Sequence, residues 1–306
     1  MDAISNKRIA AREEPAVRKI RGRGKSGTRL TRSVGGNILV LLFLAALCAF
    51  MGLPLLYSLV QSVKPLDEIF AYPPKFFVRN PTFDNFVSVY QLTQNLWVPL
   101  SRYLFNSVFV SVVGTAAYSI IASMCAFPLS RHTFPGKKVI SLLIIWAMMF
   151  RVEVLAIPQY IIMSKTQMID TYWAILLPPM AYTFGVFLMM QFMESAIPDS
   201  VLEAARIDGA SEYRIFLRII MPSVKPAFLT LIILTFQSMW NATGVNYVFD
   251  ETLKTLPAVL SGISTGGLAR AGASSAVAVI LMIPPIVIFM ISQSSVMDTM
   301  SHSGLK

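Results

Sequence analysis

Charge is what this sequence has little of. Of its 306 residues only 14% are Asp, Glu, Lys or Arg, while 55% are hydrophobic, and the mean hydropathy is +0.62. A soluble domain carries about 25% charged residues, so the composition excludes an ordinary soluble protein and points to a membrane. Cysteine and histidine are nearly missing too. Cys48 and Cys125 both lie in apolar runs, where a thiol behaves as a small hydrophobe, so no disulfide is expected. His132 and His302 are far apart in sequence, which leaves no metal-ligand cluster, and no nucleophile motif stands in the chain. Gly24-Lys25-Ser26 imitates the end of a phosphate loop, but position 19 is Lys where that loop needs Gly, and no strand precedes it. An ATPase or a membrane enzyme is therefore not expected.

What charge there is falls unevenly. Residues 1–36 hold ten Lys/Arg and three acids without apolar periodicity, and read as a basic arm. Such an arm is a solvated tail that sets orientation, or else a lipid- or partner-binding segment. The apolar run after it is too long for a signal peptide and ends in no cleavage pattern. Spanning the hydrocarbon core takes about 20 apolar residues, and spans must be helical because lipid offers backbone groups no partner. Residues 37–62, 103–130, 171–193, 226–249 and 271–297 qualify; 139–163 is apolar enough but carries Arg151 and Glu153 near its middle. The expected fold is an all-α membrane domain over 37–306 with six transmembrane helices. With the N-terminus inside, cytoplasmic segments (1–36, 129–138, 194–225 and the tail) hold 18 Lys/Arg against seven outside, which places both termini in the cytoplasm. The outer loop 64–102, with Pro65, Pro73, Pro74 and Pro81, reads as an ordered surface segment.

The loop 194–225 is the informative one. It reads as two short helices joined at Gly209, which suits a left-handed stop. Ser200 and Glu203 have capping-box spacing, Ser211 can cap the second helix, and Pro222 can end it. Tyr213, Phe216, Leu217 and Ile220 fall on one face of that helix. Ala204 and Ala205 are small enough for close approach. A polar helical hairpin of this kind is shaped to dock into a partner's groove.

At these residues the chain resembles the binding-protein-dependent transport permeases, the membrane subunits of type I ABC importers. Their hallmark is matched by Glu203, Ala204, Ala205, Gly209, Ile219 and Pro222, with Glu-Ala-Ala-x-x-Asp-Gly-Ala running from 203 to 210. Weaker pieces in the right order resemble the maltose and glycerol-phosphate branch: Ser62-Val-Lys-Pro, Pro81-Thr-Phe-Asp-Asn-Phe, Tyr103-Leu-Phe-Asn-Ser107, Trp240-Asn241, Gln293 and Ser303-Gly-Leu-Lys306. The resemblance implies a bacterial cytoplasmic-membrane permease for a sugar or oligosaccharide, with the loop as coupling helix. Glu203 would contact the ATPase, Gly209 would make the turn, and Asp208 and Ala210 would line the contact. The implied partners are a second permease, two ATPase subunits and an extracytoplasmic binding protein, in a lipid bilayer and without nucleic acid. No cofactor is expected on this chain, because ATP and Mg would sit on the partner ATPase. A permease for an amino acid, phosphate or polyamine would keep the loop and change the flanking pieces; a channel or receptor would make no ATPase contact at 203–222.

Four residues are pathway candidates. Intramembrane charges cost about 2.5–3.5 kcal/mol each on insertion scales, so Arg151 and Glu153 are expected to face protein or water. Two apart on a helix, they are not expected to pair directly. The family resemblance puts an acid near 153 and more often proline at 151. Arg151 fits an acidic sugar by a forked contact, or a carboxylate of the partner permease, or it snorkels. Trp240 and Asn241 fit sugar stacking and hydrogen bonding, or helix packing. Pro284-Pro285 is expected to kink the sixth span.

Overall fold

The computed structural model describes residues 34–94, 98–267 and 270–303. The basic arm through residue 33, including Gly24-Lys25-Ser26, and the tail residues 304–306 lie outside the described residues. The chain divides at Pro54 into two units. The boundary falls inside helix α1 (Val34–Ser62), which is uncharged throughout.

In the second unit the segment between α1 and α3 comes first. Asn85, at the start of α2 (Asp84–Gln94), is buried and donates from Nδ2 to the carbonyls of Ser62 (2.9 Å) and Lys64 (2.8 Å). Glu68 accepts from the amides of Arg79 and Asn80 at 3.0 and 2.9 Å. The two sequence pieces around Ser62 and Asp84 are thus one knot, and the segment is ordered as expected.

Helix α3 (Leu100–Arg131) is the central post. After α4 (Lys137–Ala147) and α5 (Val152–Lys165) come α6 (Tyr172–Met180) and α7 (Thr183–Ala196). Beyond a hairpin, α10 (Lys225–Trp240) returns beside α3 and packs on α12 (Ala271–Ser303). The hairpin is α8 (Asp199–Ile207) and α9 (Glu212–Ile215, continued by a π turn over Phe216–Ile220 and by Met221–Ser223). Helix α11 (Leu256–Ser264) precedes α12.

Packing around α3 depends on small residues. Ser107, Ser111, Thr115, Ser119 and Ser123 are buried along it at four-residue steps, one stripe of a 3.6-residue helix. From α7, Gly185 faces the post: a Cβ there would collide with the Tyr118 hydroxyl and stand 2.6 Å from Leu231 Cδ1 on α10. The absent side chain is what allows three helices to meet.

Three helices are long and apolar enough to cross a membrane, at Gly35–Ser62, Leu100–Arg131 and Ala271–Gln293, and two bent pairs raise the number to five if each is one span. The expected boundaries change in three places. The fourth span is bent by 44° between α6 and α7, just after Pro178 and Pro179, whose missing N–H groups weaken that turn. The fifth span ends at Trp240 rather than 249, because residues 241–250 leave the helix through Gly244, whose φ is +60°. The stretch 139–163 is not one helix: it breaks at residues 148–151 between α4 and α5. Helix α12, by contrast, runs on as one element through Pro284 and Pro285. Gly185→Val is expected to lower stability by about 1–3 kcal/mol through overpacking, read as a lower thermal midpoint of the detergent-solubilised protein.

Candidate functional site

The hairpin is built by capping chemistry. Gly209 has φ +77°, the left-handed conformation that a side chain disfavours. Its amide donates to Arg206 O at 3.0 Å, and the Ala210 amide donates to Ala205 O at 3.0 Å. Those two bonds are the Schellman stop that glycine makes possible. Ser211 caps the next helix, with Oγ accepting from the Arg214 amide at 3.4 Å. The expected capping box is corrected: α8 starts two residues earlier, with Pro198 rather than Ser200 at its cap position, so Ser200 lies inside the first turn. Pro222 does not end the second helix either. It sits in its last turn, and the chain bends by 81° only after Ser223, into α10.

Which face points where follows from the π turn. Ile215, Phe216 and Ile220 are buried, whereas Tyr213 and Leu217 are 63% and 53% exposed. The expected face of Tyr213, Phe216, Leu217 and Ile220 is therefore split: the fully buried pair is Ile215 and Ile220, five residues apart, a spacing that a π turn brings to one face. With Leu202 and Ala205, the buried set packs on Tyr118, Met189 and Met193 of α3 and α7. The two alanines divide the work. Ala205 is buried against the protein's own helices, while Ala204 is exposed beside Glu203, Ile207, Asp208 and Gly209. Ala210 and Ile219 are half-buried and Pro222 is exposed. The outward surface joins acidic Glu203 and Asp208 to apolar Ile207, Tyr213 and Leu217.

The residue that fixes this hairpin was not singled out in the sequence. Arg131, at the last turn of α3, has a side chain only 5% exposed. Its Nε donates to Met193 O at 2.9 Å, and Nη2 donates to the carbonyls of Met193, Glu194 and Ile197 at 2.5, 3.1 and 2.5 Å. Nη1 meets Asp199 Oδ1 at 2.6 Å. One guanidinium thus satisfies the unpaired carbonyls at the C-terminus of α7 and holds the first residue of α8. Its only signal was a cation at the end of a span, which topology alone explains.

A second ionic clasp closes the turn. Arg206 reaches Glu212 across Gly209, Nε–Oε1 2.8 Å and Nη2–Oε2 3.4 Å, and His132 Nε2 stands 3.2 Å from Glu212 Oε2. The hydrogen-bonded Arg206 guanidinium holds the Glu212 carboxyl below the usual carboxylate range, although partial burial pushes the other way.

At the other end of α3, polar side chains pin the loop that follows α10. Asn106 Nδ2 donates to Thr252 O (2.9 Å) and Lys254 O (3.0 Å), while its Oδ1 accepts from the Tyr172 hydroxyl (2.8 Å). Ser107 Oγ accepts from the Leu256 amide at 2.7 Å. The piece Tyr103-Leu-Phe-Asn-Ser107 is therefore an anchor for the loop that follows α10.

The four pathway candidates fall in two pairs, Arg151 with Glu153 and Trp240 with Asn241. Arg151 is extended (φ −80°, ψ 146°), the residue before α5, with Glu153 in the first turn. The expectation that they do not pair directly assumed a helix at 151. With the helix broken there, Nε and Oε2 come to 4.0 Å, and both side chains are largely exposed, 85% and 79%. Of the two readings of Trp240, its surroundings are those of helix packing: it is 2% exposed, lies nearly parallel to Phe236, and donates from Nε1 to Leu281 O at 3.2 Å, tying α10 to α12. Asn241 is exposed, and its Nδ2 donates back to Gln237 O.

Two outcomes are expected. Arg131→Gln leaves buried carbonyls unpaired, costs about 2–3 kcal/mol, and speeds tryptic cleavage at Arg206 and Arg214. A carboxyl whose pKa falls on folding stabilises above its unfolded value, about 4.3 for Glu, and that contribution is lost as pH drops through the folded value. The Glu212 contribution to the thermal midpoint is thus constant from neutral pH down to about 4.3 and declines below it, and Glu212→Gln abolishes that part of the pH profile.

Residues 118–302, from the middle of α3 through α12, match the family of binding-protein-dependent transport system inner membrane components. Among curated proteins, the chain is 27% identical over 267 residues to the polygalacturonan/rhamnogalacturonan transport system permease protein of Bacillus subtilis, covering 81% of this chain and 89% of that one. It is 27% identical to the arabinooligosaccharides transport system permease protein of Halalkalibacterium halodurans, over 86% of this chain and 93% of that one. A crystal structure of a bacterial ABC transporter involved in the import of the acidic polysaccharide alginate matches with a TM-score of 0.67 and 25% identity, over 86% of this chain and 98% of that one. The all-helical fold, the hairpin after α7 and a match over more than half of the length agree, and the chain belongs to the binding-protein-dependent transport system inner membrane components.

Proposed function

We propose that this chain is one of two membrane permeases of an ATP-driven importer that takes up an oligosaccharide delivered by an extracytoplasmic binding protein. The observation that carries the coupling role is the hairpin: its apolar underside is fixed to α3 and α7, and its exposed face, Glu203, Ile207, Asp208, Tyr213 and Leu217, has no counterpart in the described chain. Three large apolar side chains with the carboxylates of Glu203 and Asp208, on a hairpin that also exposes Arg214 and Arg218, suit a cleft on an ATPase subunit with charged residues at its edge. ATP and Mg belong on that subunit, and this chain does no chemistry.

The orientation that fits places the hairpin and both termini in the cytoplasm and the loop after α10 outside. α4 and α5 together make the sixth crossing, broken at 148–151. The oligosaccharide class is supported by the curated relatives named for polygalacturonan/rhamnogalacturonan and arabinooligosaccharides and by the alginate importer's structure. Closure of the ATPase pair would move the hairpin, and through Arg131 the post α3, so that the spans rock between inward- and outward-facing states.

Ile207→Asp tests this directly. Its side chain is 86% exposed, so the thermal midpoint of the isolated chain is expected to stay put, while co-purification of the ATPase drops at least about tenfold, the 1.4 kcal/mol scale of one lost apolar anchor. Undiminished ATPase recovery with Ile207→Asp and with Glu203→Lys would remove the hairpin from the coupling contact.

A further inference from the structure

Two cavities lie at the end of α3 away from the hairpin, and Arg270 stands in the wall of both. The larger, about 740 Å³, is lined by Thr243, Phe249, Glu251, Lys254, Ser261, Thr265 and Arg270 among others. The smaller, about 340 Å³, brings Asn85, Ser88 and Gln91 to the other side of Arg270. Both volumes fall within the roughly 300–1,000 Å³ of small-molecule pockets.

The walls combine the groups that hold a sugar. Phe249 is 59% exposed and offers a ring face. Ser261 and Thr265 donate their hydroxyl protons to Ala258 O and Gly262 O, which leaves their oxygens as acceptors for sugar hydroxyls. The backbone is held in place: Asp170 Oδ1 accepts from the amides of Phe249 (2.5 Å) and Asp250 (2.9 Å), and Asn106 holds Thr252 and Lys254 by their carbonyls. A ligand meeting such a wall has little of it to order.

Charge decides which sugar. The Lys254 ammonium is taken by Glu251, whose second oxygen accepts from the Tyr103 hydroxyl at 3.4 Å. Arg270 makes no ion pair and no side-chain hydrogen bond among the described residues, so its guanidinium is the uncancelled charge between the two cavities. A guanidinium presents a planar fork that matches a carboxylate. We propose that these cavities form an outer subsite for an acidic sugar unit, a hexuronate whose ring lies on Phe249 and whose carboxylate is held by Arg270, with the neighbouring unit in the smaller cavity. This rests on the reading of the chain as an oligosaccharide permease and narrows it to uronate-containing substrates.

The test uses the assembled importer in nanodiscs without its binding protein, with trigalacturonate and galactotriose as probes, which differ only in a carboxylate against a hydroxymethyl group. Binding is followed by saturation-transfer NMR. Trigalacturonate is expected to bind about tenfold or more tightly than galactotriose. Arg270→Gln is expected to erase that difference, Arg270→Lys to restore part of it, and Phe249→Ala to weaken both sugars together. Docking of the unloaded binding protein, added in a second step to the same nanodiscs, is expected to be unchanged by Arg270→Gln. Equal affinity for the two sugars in the wild type overturns the subsite, as does an Arg270→Gln variant that loses binding-protein docking, since the cavity would then be a protein contact. If the complete system, binding protein included, takes up no carbohydrate at all while hydrolysing ATP, the oligosaccharide reading fails and the subsite falls with it; uptake of galactotriose but not trigalacturonate removes the subsite alone.

Discussion

The guanidinium of Arg131 is the fastening on which the hairpin end of the domain depends. Four of its five hydrogen bonds go to backbone carbonyls of Met193, Glu194 and Ile197, and the fifth to Asp199. A helix C-terminus leaves its last carbonyls unpaired, and at this end α7 finds no further turn of helix to complete them. A lysine could supply charge but not this fan of donors, because its ammonium has three protons on one point. The consequence is geometric. The chain entering α8 is tied to the last turn of α3, so a displacement of the hairpin is a displacement of the post.

The same post is tied at its far end by Asn106 and Ser107, which hold residues 252–256. Between these ends run 24 residues of helix, about 36 Å at 1.5 Å per residue. The interior of that length is paved with small hydroxyl side chains and met by Gly185, so neighbours lie close to it. Close packing transmits displacement because interiors are stiff. An element held by hydrogen bonds at both ends and packed along its middle is suited to carry a push from one side of a membrane to the other.

Much of this was legible. Composition and uncharged runs gave the membrane class and the first, second and sixth helices, because a helix in lipid has no alternative partner for its backbone. Gly209 and Ser211 were readable because their roles are local: a positive φ and a cap depend on neighbours within four residues. What escaped depended on contacts far apart in sequence or on small departures from a regular helix. Arg131 finds its partners more than 60 positions away, and in sequence it is one more cation at a span end. The π turn places Ile215 and Ile220, five residues apart, on one buried face and leaves Tyr213 and Leu217 exposed, which no 3.6-residue pattern anticipates. Trp240 was ambiguous until its indole N–H was seen to meet Leu281 O.

Arg151 and Glu153 carry the last step. A continuous helix would have sent them in different directions; the break at 148–151 frees Arg151 to turn toward Glu153, whose carboxylate sits in the first turn of α5, where the helix dipole favours an anion. Break and charges both need polar company. Non-helical backbone at membrane depth is tolerated only against protein or water, and each charge facing lipid costs about 2.5–3.5 kcal/mol. The pair itself returns little of this, since its atoms are 4.0 Å apart and exposed. A surface that joins Met149, Phe150, Val154 and Ile157, all largely exposed, to two charges and a broken helix is therefore a poor lipid face. On the proposed reading, in which α4 and α5 cross the membrane together, a second permease would cover this face.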